Sequence, residues 1–259
     1  MQSTINSNFT VVLGVDQTGA KDRFGGVKPL PTSLVYKKGK AWKLVSPLML
    51  KSLNKESVQD LLTDLGIVVE WDSVLVVADC VLGLPNKIIK NQNPLTFIRS
   101  LMVKANKFEG VGLKAAEKFF NKTLPDALEL EVVDLLREQE KILGCLSVFK
   151  NKPFQRNVQT GTYRIWSDLG KDKAYLHFNI WPYEKSSHNA YLCEGYPAQA
   201  KKVIETFKTV KIKDFSLYKD VSKDHKDAAS LAVLGLLYFD EKVVIKYQKE
   251  GFIFTGANL

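Results

Sequence analysis

FTVVLGVDQTGA, residues 9 to 20, decides the fold: an uncharged, valine-rich run from Phe9 to Val15 stops abruptly at Asp16. Such a run fits a strand buried on both faces, because valine favours the extended chain and no helical period is present. The same design recurs at VLVVADC, residues 74 to 80, where the apolar run ends at Asp79.

The segment between these runs sets their relation. Gly19, Gly25, Gly26, Pro29 and Pro31 make residues 17 to 33 a long loop. SLVYKKGKAWKLVS, residues 33 to 46, has two strand-like halves around Lys38-Gly39, a hairpin signal. Asn54 is placed to cap a helix with Val58, Leu61, Leu62 and Leu65 on one stripe and Gly66 as its stop. The order predicts a three-stranded meander, then a right-handed crossover to a parallel strand. With the Asp79 strand beside the first strand, both acids leave the carboxyl ends of parallel strands, where open α/β sheets bind ligands.

Residues 95 to 146 read as helices broken near Gly110 to Gly112 and at Leu124-Pro125, and residues 150 to 174 as a polar, basic loop or insertion. AYLHFNIW (174 to 181) and NAYLCEGYP (189 to 197) read as strands, the second leading into a helix from about Ala198. KDHKDAASLAVLGLLYF (223 to 239) reads as an apolar helix with an acidic start. The expectation is one α/β domain over residues 1 to 259, with a mainly helical and loop insertion at about 95 to 173.

The composition, 45% hydrophobic and 25% charged, is that of an ordinary globular protein. The first 20 residues lack a basic n-region, so no signal peptide is expected. Leu231 to Phe239, the longest apolar stretch, is too short to span a bilayer. A cytoplasmic protein without membrane contact is expected. Cys80, Cys145 and Cys193 are odd in number and lack a Cys-x-x-Cys pair, and there are three histidines; this disfavours a disulfide framework or a zinc ribbon. Any metal is left to carboxylate oxygens.

Net charge +9 implies attraction to polyanions. Residues 81 to 125 carry eight Lys/Arg against two acids, while residues 126 to 146 carry two against six. Lys114, Lys118 and Lys122 recur every four residues as one basic stripe, and Arg156 and Arg164 follow; these are the candidate nucleic-acid contacts. The competing reading is a solvated helix face.

Each acid alone has a structural explanation. Asp16 and Asp79 can form Asx-turns, Asp224 can cap a helix, Asp227 suits a first turn, and Glu194 can hydrogen-bond at a strand-to-helix junction. Two acids ending neighbouring apolar strands, however, repel each other in a dry setting, and their coincidence favours a bound cation. Asp224 and Asp227, three apart, share one helix face. GVDQTGAKD lacks the Gly-Lys-Ser/Thr of a phosphate-binding P-loop, and no Gly-x-Ser-x-Gly elbow exists. Cys80 and Cys193, beside acids on strands, face the other way and read as core.

GVDQTGA (14 to 20), VVADCVLGLP (76 to 85), EGYPAQA (194 to 200), DHKDAASLAVLGLL (224 to 237) and EGFIFTG (250 to 256) together resemble a widespread family described as predicted RNase H-like nucleases. The Asp-x-x-Asp-Ala helix is similar to that of RuvC-type Holliday-junction resolvases. The resemblance implies an RNase H-like mixed sheet, with acids at Asp16, Asp79 and the pair Asp224 and Asp227, and with Glu194 matching the family's glutamate before Tyr-Pro. Val81 stands where the family often has proline, and residues 100 to 190 show almost no resemblance.

If the acids converge, hard oxygen ligands suit Mg²⁺ or Mn²⁺. The expected function is a metal-dependent phosphodiesterase or nuclease acting on nucleic acid through a two-metal carboxylate site, with Asp16, Asp79, Glu194 and Asp227 catalytic and also metal ligands, and Asp224 a further ligand. The alternatives are an ATP-using enzyme of the actin and sugar-kinase type, or a non-catalytic nucleic-acid-binding protein of the same fold.

Overall fold

The two apolar runs that end in aspartate are neighbouring parallel strands. In the computed structural model, which describes residues 9–17, 27–143, 149, 156–198, 200, 212–213, 221–240 and 253–254, β1 is Val11–Val15 and β4 is Val74–Ala78. They pair in parallel from Val11 opposite Val74 to Val15 opposite Ala78. Both strands are fully buried, as their unbroken apolar sequence requires.

Strands β2 (Leu30–Lys38) and β3 (Ala41–Leu50) form the expected hairpin, antiparallel to each other, with β2 antiparallel to β1. Gly39 supplies the positive φ of 65° that its turn needs. Helix α1 (Lys55–Asp64) makes the crossover, and Asn54 caps it by accepting from the Ser57 N–H at 2.8 Å. After β4 come α2 (Asn86–Ile89), α3 (Pro94–Lys107), α4 (Leu113–Thr123), α5 (Asp126–Glu129), α6 (Glu138–Leu143) and α7 (Arg156–Gly170). Then follow β5 (Phe178–Ile180), β6 (Ala190–Gly195), β7 (Ile212–Lys213), α8 (Lys223–Asp240) and β8 (Ile253–Phe254). The sheet order is β5-β6-β4-β1-β2-β3-β7, with β8 beside β6. An antiparallel meander continuing into parallel strands, flanked by helices, is an α/β architecture compatible with an RNase H-like fold.

Strand alternation divides the core into two layers. Val11, Leu13, Val15, Val76 and Ala78 face a layer built from α1, α3, α4 and α7, whereas Val12, Leu75, Val77 and Cys193 face α8. Helix α8 lies unusually close to β1: a Cβ on Gly14 would stand 1.8 Å from the Ala228 carbonyl oxygen. Glycine at position 14 therefore sets the distance between the sheet and the helix that carries Asp224 and Asp227.

Residues 156 to 170 correct the sequence reading of a loop. They form a helix whose Tyr163, Ile165, Trp166 and Leu169 are buried in the core. Gln159, Thr160 and Gly161 disguise it: the first two are polar yet buried, and Gly161 packs against the Gln17 side chain, so none of them marks an apolar stripe. The 174 to 181 strand is also shorter than read, since Lys171–His177 is a 3-10 turn before β5. The helix expected from about Ala198 lies largely outside the described residues, as does most of residues 17 to 26. Among the described residues, no helix is long and apolar enough to cross a membrane.

Candidate functional site

The carboxyl ends of β1, β4 and β6 bring Asp16, Asp79 and Glu194 to one edge of the sheet. The Asp79 N–H donates to the Val15 carbonyl at 2.9 Å, continuing the ladder past the last strand residues. Glu194 pairs in register with Ala78. Alternation then sends the side chains to different faces. Ala78 and Cys80 belong to the α7 layer, so Asp79 between them leaves on the α8 face; Asp16, following Val15, does the same. Glu194 follows Cys193 of the α8 layer and leaves on the α7 face. Both cysteines are buried in the core.

Asp16 and Asp79 interact directly. The charge of Asp79 acts on Asp16, and the Gln17 Nε2 donates to Asp79 Oδ2 at 3.4 Å. Asp16 is 5% exposed, too dry for two adjacent carboxylates to stay ionised together. Burial first, then the charges of Asp79, Asp227 and Asp224, push Asp16 up to about 9. Burial likewise raises Asp79 to about 7, opposed by its Gln17 bond and reinforced by Asp227 and Glu194.

Helix α8 delivers Asp227. Its N-terminus is pinned to the meander: His225 Nε2 hydrogen-bonds the Leu48 carbonyl at 2.9 Å, and Ser33 Oγ donates to the His225 carbonyl at 3.2 Å. Ser222 caps the helix, accepting from the His225 N–H at 3.4 Å. The expected cap, Asp224, instead stands exposed in the first turn. Asp227, half-buried, precedes the Ala228 that rests on Gly14, and it therefore sits at the Asp16 end of β1.

Glu194 has a different environment. Both of its oxygens are taken by Arg137: NH1 donates to Oε2 at 2.7 Å and NH2 donates to Oε1. Oε2 also accepts from the Leu82 N–H at 2.8 Å. Arg137 is 2% exposed and pairs as well with Glu140, at 2.8 Å. Although burial opposes its charge, these two glutamates hold the Arg137 proton more firmly than usual. Burial pushes Glu194 up against the pull of Arg137.

Sequence reasoning missed Arg137, Gln17 and Glu140. Arg137 stands in an acidic stretch where Glu140, three positions on, reads as an ordinary helical ion pair, and its other partner, Glu194, lies 57 positions away. Gln17 adjoins the motif, and its role depends on Gly161 of α7, where a Cβ would meet its Oε1 at 1.5 Å.

The basic candidates separate. Lys114, Lys118 and Lys122 are exposed on α4, over the buried Ala115, Phe119 and Phe120. Arg164 is engaged internally: Nε donates to Asp168 at 3.0 Å, NH2 to the Lys51 carbonyl at 3.0 Å and NH1 to the Lys28 carbonyl at 3.3 Å. Arg156 opens α7, with its side chain outside the described residues.

Among the described residues, no group of three or more His, Cys, Asp or Glu side chains forms a ready-made metal cage. The chain matches no family model, no curated protein and no solved structure. The donor set, two carboxyls at the ends of neighbouring strands with a third within charge range, fits a Mg²⁺-like ion. Such an ion is commonly held by one or two carboxylates and completes its shell with water and substrate phosphate. It does not fit a structural zinc site.

Proposed function

We propose that this protein is a metal-dependent phosphodiesterase of RNase H-like fold acting on nucleic acid. One observation carries the reading: Asp16 and Asp79, from segments 63 positions apart, end adjacent parallel strands, with Asp16 buried and within charge range of Asp79 and Asp227. Two carboxyls held together at that cost in desolvation and repulsion suit a cation that replaces their protons.

In this reading Asp16 and Asp79 bind Mg²⁺ or Mn²⁺, and Asp227 joins them once substrate is present. The ion supplies Lewis-acid stabilisation of the phosphoryl group and a more acidic water. Gln17 fixes the Asp79 carboxylate through its Nε2. Asp224, exposed one turn before Asp227, is left to orient water at the mouth. Lys114, Lys118 and Lys122 hold the phosphate backbone without reading sequence.

The test is a panel of single-stranded, duplex, hybrid and branched nucleic acids, assayed for cleavage and binding in Mg²⁺ and Mn²⁺. Wild type cleaves at least one of them, and Asp79→Asn and Asp227→Asn abolish turnover while binding persists. Neither binding nor cleavage of any substrate in either metal would refute the reading.

A further inference from the structure

The turn that follows Asp79 is held at three points by the layer opposite the candidate metal face. Thr162 Oγ1 accepts from the Val81 N–H at 3.2 Å, the Trp166 Nε1 donates to the Val81 carbonyl at 2.8 Å, and Glu194 Oε2 accepts from the Leu82 N–H at 2.8 Å. The first two come from one helix, α7. The third differs in kind, because a charged carboxylate 4% exposed is a costly way to satisfy one amide.

Arg137 makes that carboxylate tolerable. Its fork takes both Glu194 oxygens, while Glu140 Oε1 accepts from the same Arg137 NH2 and Glu140 Oε2 accepts from the Arg137 backbone N–H at 2.7 Å. Both Glu194 oxygens are therefore engaged by protein donors, and strand alternation sends its side chain to the face opposite Asp16 and Asp79.

We propose that Glu194 is a positioning residue and not a metal ligand: charge-balanced by Arg137, it clamps the Leu82 amide and so holds the 79 to 82 turn with Asp79 against Asp16. The proposal rests on the metal reading of Asp16 and Asp79 for its functional consequence. Its structural half stands on the hydrogen bonds alone. It assigns the helical insertion a task, since α6 and its preceding residue reach the end of the sheet and fix the backbone that carries a ligand.

The experiment compares Glu194→Gln with Glu194→Ala in the full chain. The two variants carry the same charge and differ in whether an oxygen still faces the Leu82 amide. Mn²⁺ affinity is measured by calorimetry and Leu82 protection by amide hydrogen exchange. The clamp predicts that Gln keeps Leu82 protected and binds Mn²⁺ close to wild type, while Ala loses the protection and binds about 10- to 100-fold more weakly, as for other residues that support a ligand from behind. Equal and large losses of Mn²⁺ affinity in both variants overturn it. Should the alanine variant not fold, Glu194→Gln decides alone: a loss as large as that of Asp79→Asn overturns the clamp. A wild type that binds no Mn²⁺ refutes the metal reading separately, and Leu82 exchange in Glu194→Gln and in Arg137→Met still judges the clamp. Faster exchange in Arg137→Met with retained protection in Glu194→Gln supports it, and unchanged exchange in Arg137→Met overturns it.

Discussion

Asp79 stands beside Asp16 because its own N–H donates to the Val15 carbonyl at 2.9 Å, so the acid that ends β4 is tied to the residue preceding the acid that ends β1. The pairing is set by backbone, and substitution of either carboxyl leaves the strands in register. Side-chain variants therefore report on charge and ligation more than on folding.

The first consequence concerns pH. In the folded, metal-free protein Asp16 titrates near 9 and Asp79 near 7, against 3.8 for an ordinary aspartate. The folded state thus binds more protons than the unfolded state from about pH 4 upward, and stability falls as pH rises through that window. In chelator, urea melts at pH 5 and pH 8 are expected to differ by a few kcal/mol, with the higher stability at pH 5. Asp16→Asn flattens this dependence and is more stable than wild type at pH 8.

A bound divalent ion is expected to reverse the penalty. Mg²⁺ or Mn²⁺ at about 100 times its Kd adds about 2.7 kcal/mol to the folded state. The rise in melting temperature is larger at pH 8 than at pH 6, because the ion must displace the carboxyl protons. Asp16→Asn removes most of the rise. An equal rise in both proteins places the ion elsewhere.

Gly14→Ala tests how the acids are gathered. Its Cβ would fall 1.8 Å from the Ala228 carbonyl oxygen, an atom of the helix backbone that has no rotamer by which to yield. A loss of about 3 kcal/mol is expected in urea melts, since the helix must lift from the sheet. The residual folded protein binds Mn²⁺ more weakly, because Asp227 moves with α8.

The lysine stripe and Arg164 give opposite outcomes. Replacing Lys114, Lys118 and Lys122 by alanine lowers duplex affinity and flattens the plot of log K against log salt by about 0.9 for each phosphate that is no longer neutralised. Arg164→Ala leaves that slope alone and lowers the melting temperature, since its guanidinium ties Asp168 to the 28 and 51 carbonyls.

Much of this was legible in the sequence because burial on both faces leaves a local signature. Two uncharged valine-rich runs, each stopped by aspartate, give β1 and β4, and the hairpin and the Asn54-capped helix between them give the crossover. The apolar helix α8 is legible for the same reason. Helix α7 is not, because its buried Gln159, Thr160 and Thr162 blur the apolar stripe, and Thr162 answers the Val81 N–H, 81 positions away. Arg137 escapes for a related reason: a buried arginine is recognisable only by the carboxylates that neutralise it, and Glu194 belongs to another element. The cap of α8 is Ser222 and not the expected Asp224, a shift of two residues in the helix start.

The central claim, that Asp16 and Asp79 together hold a divalent cation, is tested most directly by anomalous diffraction from crystals soaked in Mn²⁺. A Mn²⁺ peak is expected on the α8 face of the sheet, within direct coordination distance, about 2.1 Å for a Mg²⁺-like ion, of carboxylate oxygens from both Asp16 and Asp79, with Glu194 still bound to Arg137. A soaked crystal with no peak between those two carboxylates, or with its peak at other side chains, would contradict it.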